Sequence, residues 1–264
     1  MAVSAQKPFE GEIQYRNFEN HSKTVRKFSK GMSYNGARDV KVIVKGKNVL
    51  IKDESLHLNT LLLPDEEEAI VYSDVLKRGL KCTYSDYTRT YMSTYGPNTW
   101  APQQTKEYSV KKTNATKNID GHKCVQYAGK VITHTPAPEP IVTDVEVWTD
   151  TKYKMPEAYL NYLYGIVVDG LVVKCTTDLK SKVPLFGRQD SFVASEMKSV
   201  TPRKVDDSEM TVPADYELKE TDSPFKMNGI HSDTKKYLKN NKMYPADADA
   251  DTEVTYKIEE EWDF

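Results

Sequence analysis

The stretch Val40-Lys41-Val42-Ile43-Val44-Lys45-Gly46-Lys47-Asn48-Val49-Leu50-Ile51 decides the fold class. Val40, Val42 and Val44 recur at every second position, and Val49 and Ile51 resume the pattern after Lys45-Gly46-Lys47-Asn48, whose Gly and Asn suit a turn. A period of two interrupted by turn chemistry is a β-hairpin. Downstream, Leu56, Leu58, Thr60 and Leu62 alternate with mostly polar partners. Pro64 and the acidic group Asp65 to Glu68 break the run before Ile70-Val71-Tyr72 resumes it. Upstream, Phe9, Gly11, Ile13 and Tyr15 share one face while Glu10, Glu12 and Gln14 share the other. These segments predict a meandering antiparallel sheet with one buried face.

Further strands are expected at Cys124 to Ala128, at Thr143 to Trp148 and at Phe192 to Met197, with Pro136, Pro138 and Pro140 forming a stiff connector. Asp169-Gly170 between Ile166-Val167-Val168 and Leu171-Val172-Val173 predicts a second hairpin, because Asp-Gly suits the two positive-φ positions of a type I′ turn. Pro156 opens a short helix over Glu157 to Tyr164 with Gly165 to end it. Residues 83–112, punctuated by Gly96-Pro97-Asn98 and Ala101-Pro102, are expected to form a long loop with a short helix. Residues 221–264 form an expected C-terminal appendage. In it Ser232-Asp233 caps a helix from Thr234 to about Asn240, and Val254, Tyr256 and Ile258 add an edge strand.

Composition narrows the partner. A net charge of −2 and a pI near 6.3 favour neither nucleic acid nor an anionic membrane surface. No run of some 18 apolar residues exists to span a bilayer. The 17 Tyr, 7 Phe and 3 Trp supply strand-forming, area-rich side chains. Val3-Ser4-Ala5, directly before Gln6, has the small-x-small form of a signal-peptidase site. Residues 1–8 therefore read as a disordered start left from a trimmed export signal, against a plain cytosolic start as the alternative. Cys82, Cys124 and Cys175 allow one disulfide plus one thiol in three pairings, or three buried thiols. Asn20-His21-Ser22 and Asn114-Ala115-Thr116 fit a glycosylation sequon that is frequent by chance.

Catalytic and metal motifs are missing. The chain has no Gly-x-Ser-x-Gly, His-Glu-x-x-His or Cys-x-x-Cys, so no catalytic residue, metal site or cofactor is expected. His21, His57, His122, His134 and His231 lack ligand spacing and read as surface or turn residues. Gly46-Lys47 lacks the upstream glycine and the Ser/Thr of a phosphate loop. Asp247, Asp249 and Asp251 copy the first ligands of an EF-hand, but Thr252 and Ile258 stand where Gly and Glu are needed, which leaves an acidic linker. The tyrosines at 84, 87, 91 and 95, and at 159, 162 and 164, line either a ligand cavity or the core.

The order of motifs carries a resemblance. Phe9-x-Gly11-x-Ile13-x-Tyr15, the Lys-Gly-Lys-Asn hairpin, Ile119-Asp120-Gly121-His122-Lys123-Cys124 with Tyr127, Val145 to Thr149 around Trp148, and Val212-Pro213-x-x-Tyr216 follow one another. The chain resembles the uncharacterised exported proteins of Bacteroidetes whose domain is similar to the lipoprotein-localisation carriers and outer-membrane lipoprotein receptors, over about residues 9–220. The resemblance implies a mainly β (α+β) fold, a curved antiparallel sheet forming an unclosed half-barrel around one or a few short helices. It implies a periplasmic or outer-envelope location and an apolar concave face, here Ile13, Tyr15, Val42, Val44, Tyr127 and Trp148, that buries a lipid or lipoprotein acyl chain without a reactive group. The alternative is an envelope scaffold with a filled core.

Overall fold

The computed structural model describes residues 6–22, 35–92, 105–134, 139–159, 168–183 and 187–245. Fifteen strands occur among them: β1 (Lys7–Pro8), β2 (Gly11–His21), β3 (Gly36–Lys45), β4 (Asn48–Asp53), β5 (Leu58–Leu63), β6 (Glu68–Ser73), β7 (Arg78–Thr83), β8 (Thr105–Tyr108), β9 (Lys111–Ile119), β10 (His122–His134), β11 (Ile141–Asp150), β12 (Tyr153–Lys154), β13 (Leu171–Val183), β14 (Gly187–Pro202) and β15 (Glu217–Glu220). Thirteen of them form one sheet, ordered β15-β7-β6-β5-β4-β3-β2-β14-β13-β11-β10, with β8 and β9 following each other along the outer edge of β10. The sheet does not close, so the fold is the expected half-barrel. Its pairs are antiparallel except the edge pair β15 with β7.

The β3 to β7 meander follows from its turns. Gly46 at φ +60 closes the β3–β4 hairpin, and His57, Glu67 and Lys77 take left-handed φ values of 53, 55 and 49 as the last residues of three four-residue turns. A second Asp-Gly pair carries the type I′ role expected of Asp169-Gly170. Asp120 (φ 49) and Gly121 (φ 85) turn β9 into β10. Only Gly170 of the other pair has positive φ, Val168 and Asp169 lie outside any strand, and Ile166 and Val167 fall outside the described residues.

Alternation places Ile13, Tyr15, Val42, Val44, Val49, Ile51, Leu62, Val71, Val147 and Cys175 in one core on the concave face. The expected polar alternation of β5 fails. Leu61, with Ile43, Leu50, Ile70 and Tyr72, forms a second apolar cluster on the opposite face, sealed by Val205 and Met210 and flanked by Val212 and Tyr216. Tyr216 packs edge-on to Tyr72 at 5.9 Å and donates to Asp74 Oδ1 at 3.1 Å. β5 is thus buried on both faces, on one by the main core and on the other by a strap, residues 203–216, that begins 140 positions later in the chain.

Three other expectations change. Residues 83–112 hold α1 (Tyr84–Tyr87), a π turn over Thr88–Met92, β8 and the start of β9, while 93–104 lie outside the described residues. The C-terminal helix α2 runs over Asn228–Asn240, so Ser232 and Asp233 lie inside it rather than capping it. Met227 and Ile230 belong to the main core, so the described part of 221–245 is no appendage, whereas the expected edge strand at 254–258 and the aspartates at 247, 249 and 251 lie outside the described residues. The helix expected over 157–164 is described only over 157–159.

Gly11 marks the tightest approach in the sheet. At φ +147 a Cβ there would lie 2.3 Å from the Thr201 carbonyl oxygen. Gly11→Ala is expected to lose about 2 kcal/mol or more in urea unfolding, from strain plus a displaced β2–β14 register. A loss below about 0.5 kcal/mol would contradict this close approach.

Candidate functional site

Three regions carry the chemistry. The first is the concave face. Ile13, Val42 and Val44 are 0% exposed, Tyr15 is 1% and Tyr127 is 6% exposed, all in one packed core. Trp148 is only partly buried, packed against that core without entering it. It directly follows Val147, whose side chain faces the core, and β11 pleats it to the other face beside Glu146, to which its indole Nε1 donates at 2.6 Å. Met155, Ala158, Tyr159, Met227 and Ile230 join the same core. Tyr159 is pinned there by polar bonds. Its hydroxyl bonds the Tyr15 hydroxyl and accepts from Val172 N at 3.2 Å, while Tyr15 donates to Val172 O at 2.8 Å. Burial pushes the Tyr159 hydroxyl far above the usual phenol range, so it stays a neutral donor and acceptor.

The second region is a buried polar cluster at the far end of the same face. β2 continues its alternation past Tyr15 and turns Asn17, Glu19 and His21 inward. The pairing of β2 with β14 sets Ser191 directly opposite His21 and Ser195 opposite Asn17, which accepts from the Ser195 hydroxyl. His21 Nδ1 lies 2.7 Å from Ser191 Oγ and its Nε2 lies 2.8 Å from Glu19 Oε2. Arg38 of β3 bonds Glu19 and, at 2.6 Å, Asp53 of β4. Burial would raise Glu19, but the Arg38 charge and the His21 hydrogen bond outweigh it and hold this carboxyl below the usual range. Burial dominates at Asp53 and raises its pKa against the Arg38 charge, with a smaller push from the Glu19 charge. His231 of α2 faces the cluster, and burial followed by the Arg38 charge pushes it down to about 4. His21 and His231 were expected at the surface. The fold instead puts His21 in this cluster and leaves His231 half-buried on α2.

Ser191, His21 and Glu19 have the connectivity of a nucleophile relay. The surroundings oppose that chemistry. β14 lies between β13 and β2 and pairs with both around Ser191, so the neighbouring N–H groups are committed to the ladders rather than turned toward a developing oxyanion. Hydrogen bonds link Arg38, Glu19, His21 and Asp53 into one buried network.

The third region is a groove of about 760 Å³ on the outer face. Its floor is Glu146 and Trp148 of β11, Lys174 and Thr176 of β13, and Glu196 and Lys198 of β14, with the 117–120 end of β9 as its rim. Trp148, Lys174 and Glu196 form one cross-strand row. Composition gave no signal for it. The strict alternation Val145-Glu146-Val147-Trp148 did contain one, since it sets the indole among charged side chains.

The cysteines contribute no reactivity. Cys82, Cys124 and Cys175 are buried free thiols, and burial lifts Cys82 and Cys124 to about 11. Among the described residues no group of three or more His, Cys, Asp or Glu side chains is placed to hold a metal ion, and no helix is long and apolar enough to cross a membrane. Of the tyrosines expected at a cavity, Tyr87 and Tyr159 are buried and Tyr84 is half-buried, while the side chains of 91, 95, 162 and 164 lie outside the described residues. No protein-family model matches the chain, and no curated protein does. The likeness to lipoprotein carriers therefore rests on the motif series alone.

Proposed function

We propose that this is a non-enzymatic binding or scaffold protein of the cell envelope, whose half-barrel is packed on its own helical segments and whose partner is met on the outside of the sheet. The observation that carries the reading is the closed concave face. Five of the six residues expected to touch a lipid are 6% exposed or less, and the Tyr15–Tyr159–Val172 hydrogen bonds tie the covering segment to the sheet. Opening that cover would expose two hydroxyls and a backbone amide to an apolar ligand, at about 1–3 kcal/mol for each unsatisfied group. The envelope location draws on the motif series that resembles the exported carriers.

A carrier of acyl chains is the second reading. It draws on Met155, Met197 and Met227 in the core, since unbranched thioethers repack around a guest at little cost. Titration with the apolar fluorophore N-phenylnaphthylamine, with palmitate as competitor, separates the two. The scaffold reading expects no saturable binding to the intact chain. One-to-one binding displaced by palmitate would replace it with the carrier.

A further inference from the structure

We infer that the outer-face groove around Trp148 is a binding site for an uncharged glycan, which rests on the scaffold reading and names the partner's chemistry. The groove is large enough, since ligand clefts run at about 300–1,000 Å³. The floor balances Lys174 and Lys198 against Glu146 and Glu196, and the rim balances Lys117 against Asp120. A site with no net charge selects neither an anion nor a cation. It offers donors and acceptors side by side, which is what a ring of hydroxyls requires.

Trp148 supplies the other half of sugar recognition. Its N–H is already engaged by Glu146, which fixes the indole plane on a floor otherwise built of charged and hydroxyl side chains. A rigid aromatic surface so held stacks on the C–H face of a pyranose while the neighbours bind its hydroxyls. The backbone is shaped around this spot as well. Register shifts fall between Val125 and Tyr127 in β10, between Trp148 and Thr149 against β13, and between Met197 and Ser199 in β14. β-Bulges re-aim side chains, and Lys198 is itself the extra residue of the third.

A peptide is the weaker occupant. β11, β13 and β14 are interior strands paired on both sides, so an extended chain finds no free backbone edge on the floor of this groove, and only the short 117–119 rim of β9, paired with β10 alone, offers one. Side chains alone rise from the floor, and these match hydroxyls better than a peptide ladder.

The test is calorimetric titration of the full chain with maltohexaose, cellohexaose and chitohexaose. At least one is expected to bind, and Trp148→Ala is expected to weaken it about tenfold or more, as truncating an aromatic anchor does. Trp148→Phe keeps a ring and should recover most of the affinity. Thr176→Tyr fills the groove from the floor and should abolish binding while leaving the melting temperature unchanged, which guards against a Trp148→Ala chain that fails to fold. If no hexasaccharide binds, if Trp148→Ala and Thr176→Tyr bind as the parent does, or if a neutral extended peptide binds in a Trp148-dependent way and the sugars do not, the proposal is overturned. The N-phenylnaphthylamine titration reads the interior independently, so glycan binding together with stoichiometric probe binding would sink the scaffold reading and keep the groove.

Discussion

Arg38→Met is expected to destabilise the protein by about 3–5 kcal/mol at pH 7, the usual cost of stripping one partner from a buried ion pair. Arg38 joins Glu19 and Asp53, whose side chains are 11% and 12% exposed, and among the described residues no other charged group is bonded to both. Without the guanidinium two carboxylates share a poorly hydrated pocket and repel each other. Each must then take up a proton or draw water into the sheet, so the deficit should shrink as the pH is lowered toward 5. The triple variant Arg38→Met, Glu19→Gln, Asp53→Asn removes all three charges together and is expected to recover most of the loss. Urea unfolding of the single and triple variants reads both effects. A single-variant loss below about 1 kcal/mol would place the trio in the class of exposed pairs and remove its structural role.

How far that cluster was legible depends on which residue is considered. Glu19 and His21 lie at the sixth and seventh odd positions of the alternation that begins at Phe9, so extending the period of two past Tyr15 already turns them toward the core. Their partners were not legible. Ser191 pairs with His21 across 170 positions, and only the placement of β14 beside β2 brings them together. The β3 to β6 part of the meander was legible because each turn sits within a few residues of the strands it joins, whereas β7 (Arg78–Thr83) was not read. The double burial of β5 was not, since the strap at 203–216 has no periodic pattern of its own and meets Leu61 only in three dimensions. Asp169-Gly170 and Asp120-Gly121 offer the same local chemistry. The strands that flank the second pair, not the dipeptide, decided which became the hairpin. Hydrophobicity put Trp148 with the core, against which it is partly buried, while parity with Val147 turns it toward the outer face.

His231 is expected to make the protein acid-labile between pH 6.5 and 4. Its folded pKa of about 4 lies below its ordinary 6.5, so in this window the unfolded chain binds a proton that the folded chain refuses. Stability from this group is complete above pH 6.5 and is lost as the pH falls toward 4. A shift of this size corresponds to about 3 kcal/mol at most, and part of the ring still meets solvent, so ~2 kcal/mol is the working figure. The neighbours do not supply the same slope. Glu19 is held below its ordinary 4.5, so its loss starts only at the bottom of the window and is common to parent and variant, and Asp53, raised above 3.8, binds its proton more readily when folded and opposes the loss. The slope therefore belongs to the buried imidazole of His231. Thermal unfolding from pH 7.5 to 4.5 should show the parent losing about 4–8 °C more than His231→Gln, at roughly 2–4 °C per kcal/mol for a chain of this size. Parallel curves for the two proteins would show that His231 can charge without cost, and that α2 does not press it against the cluster.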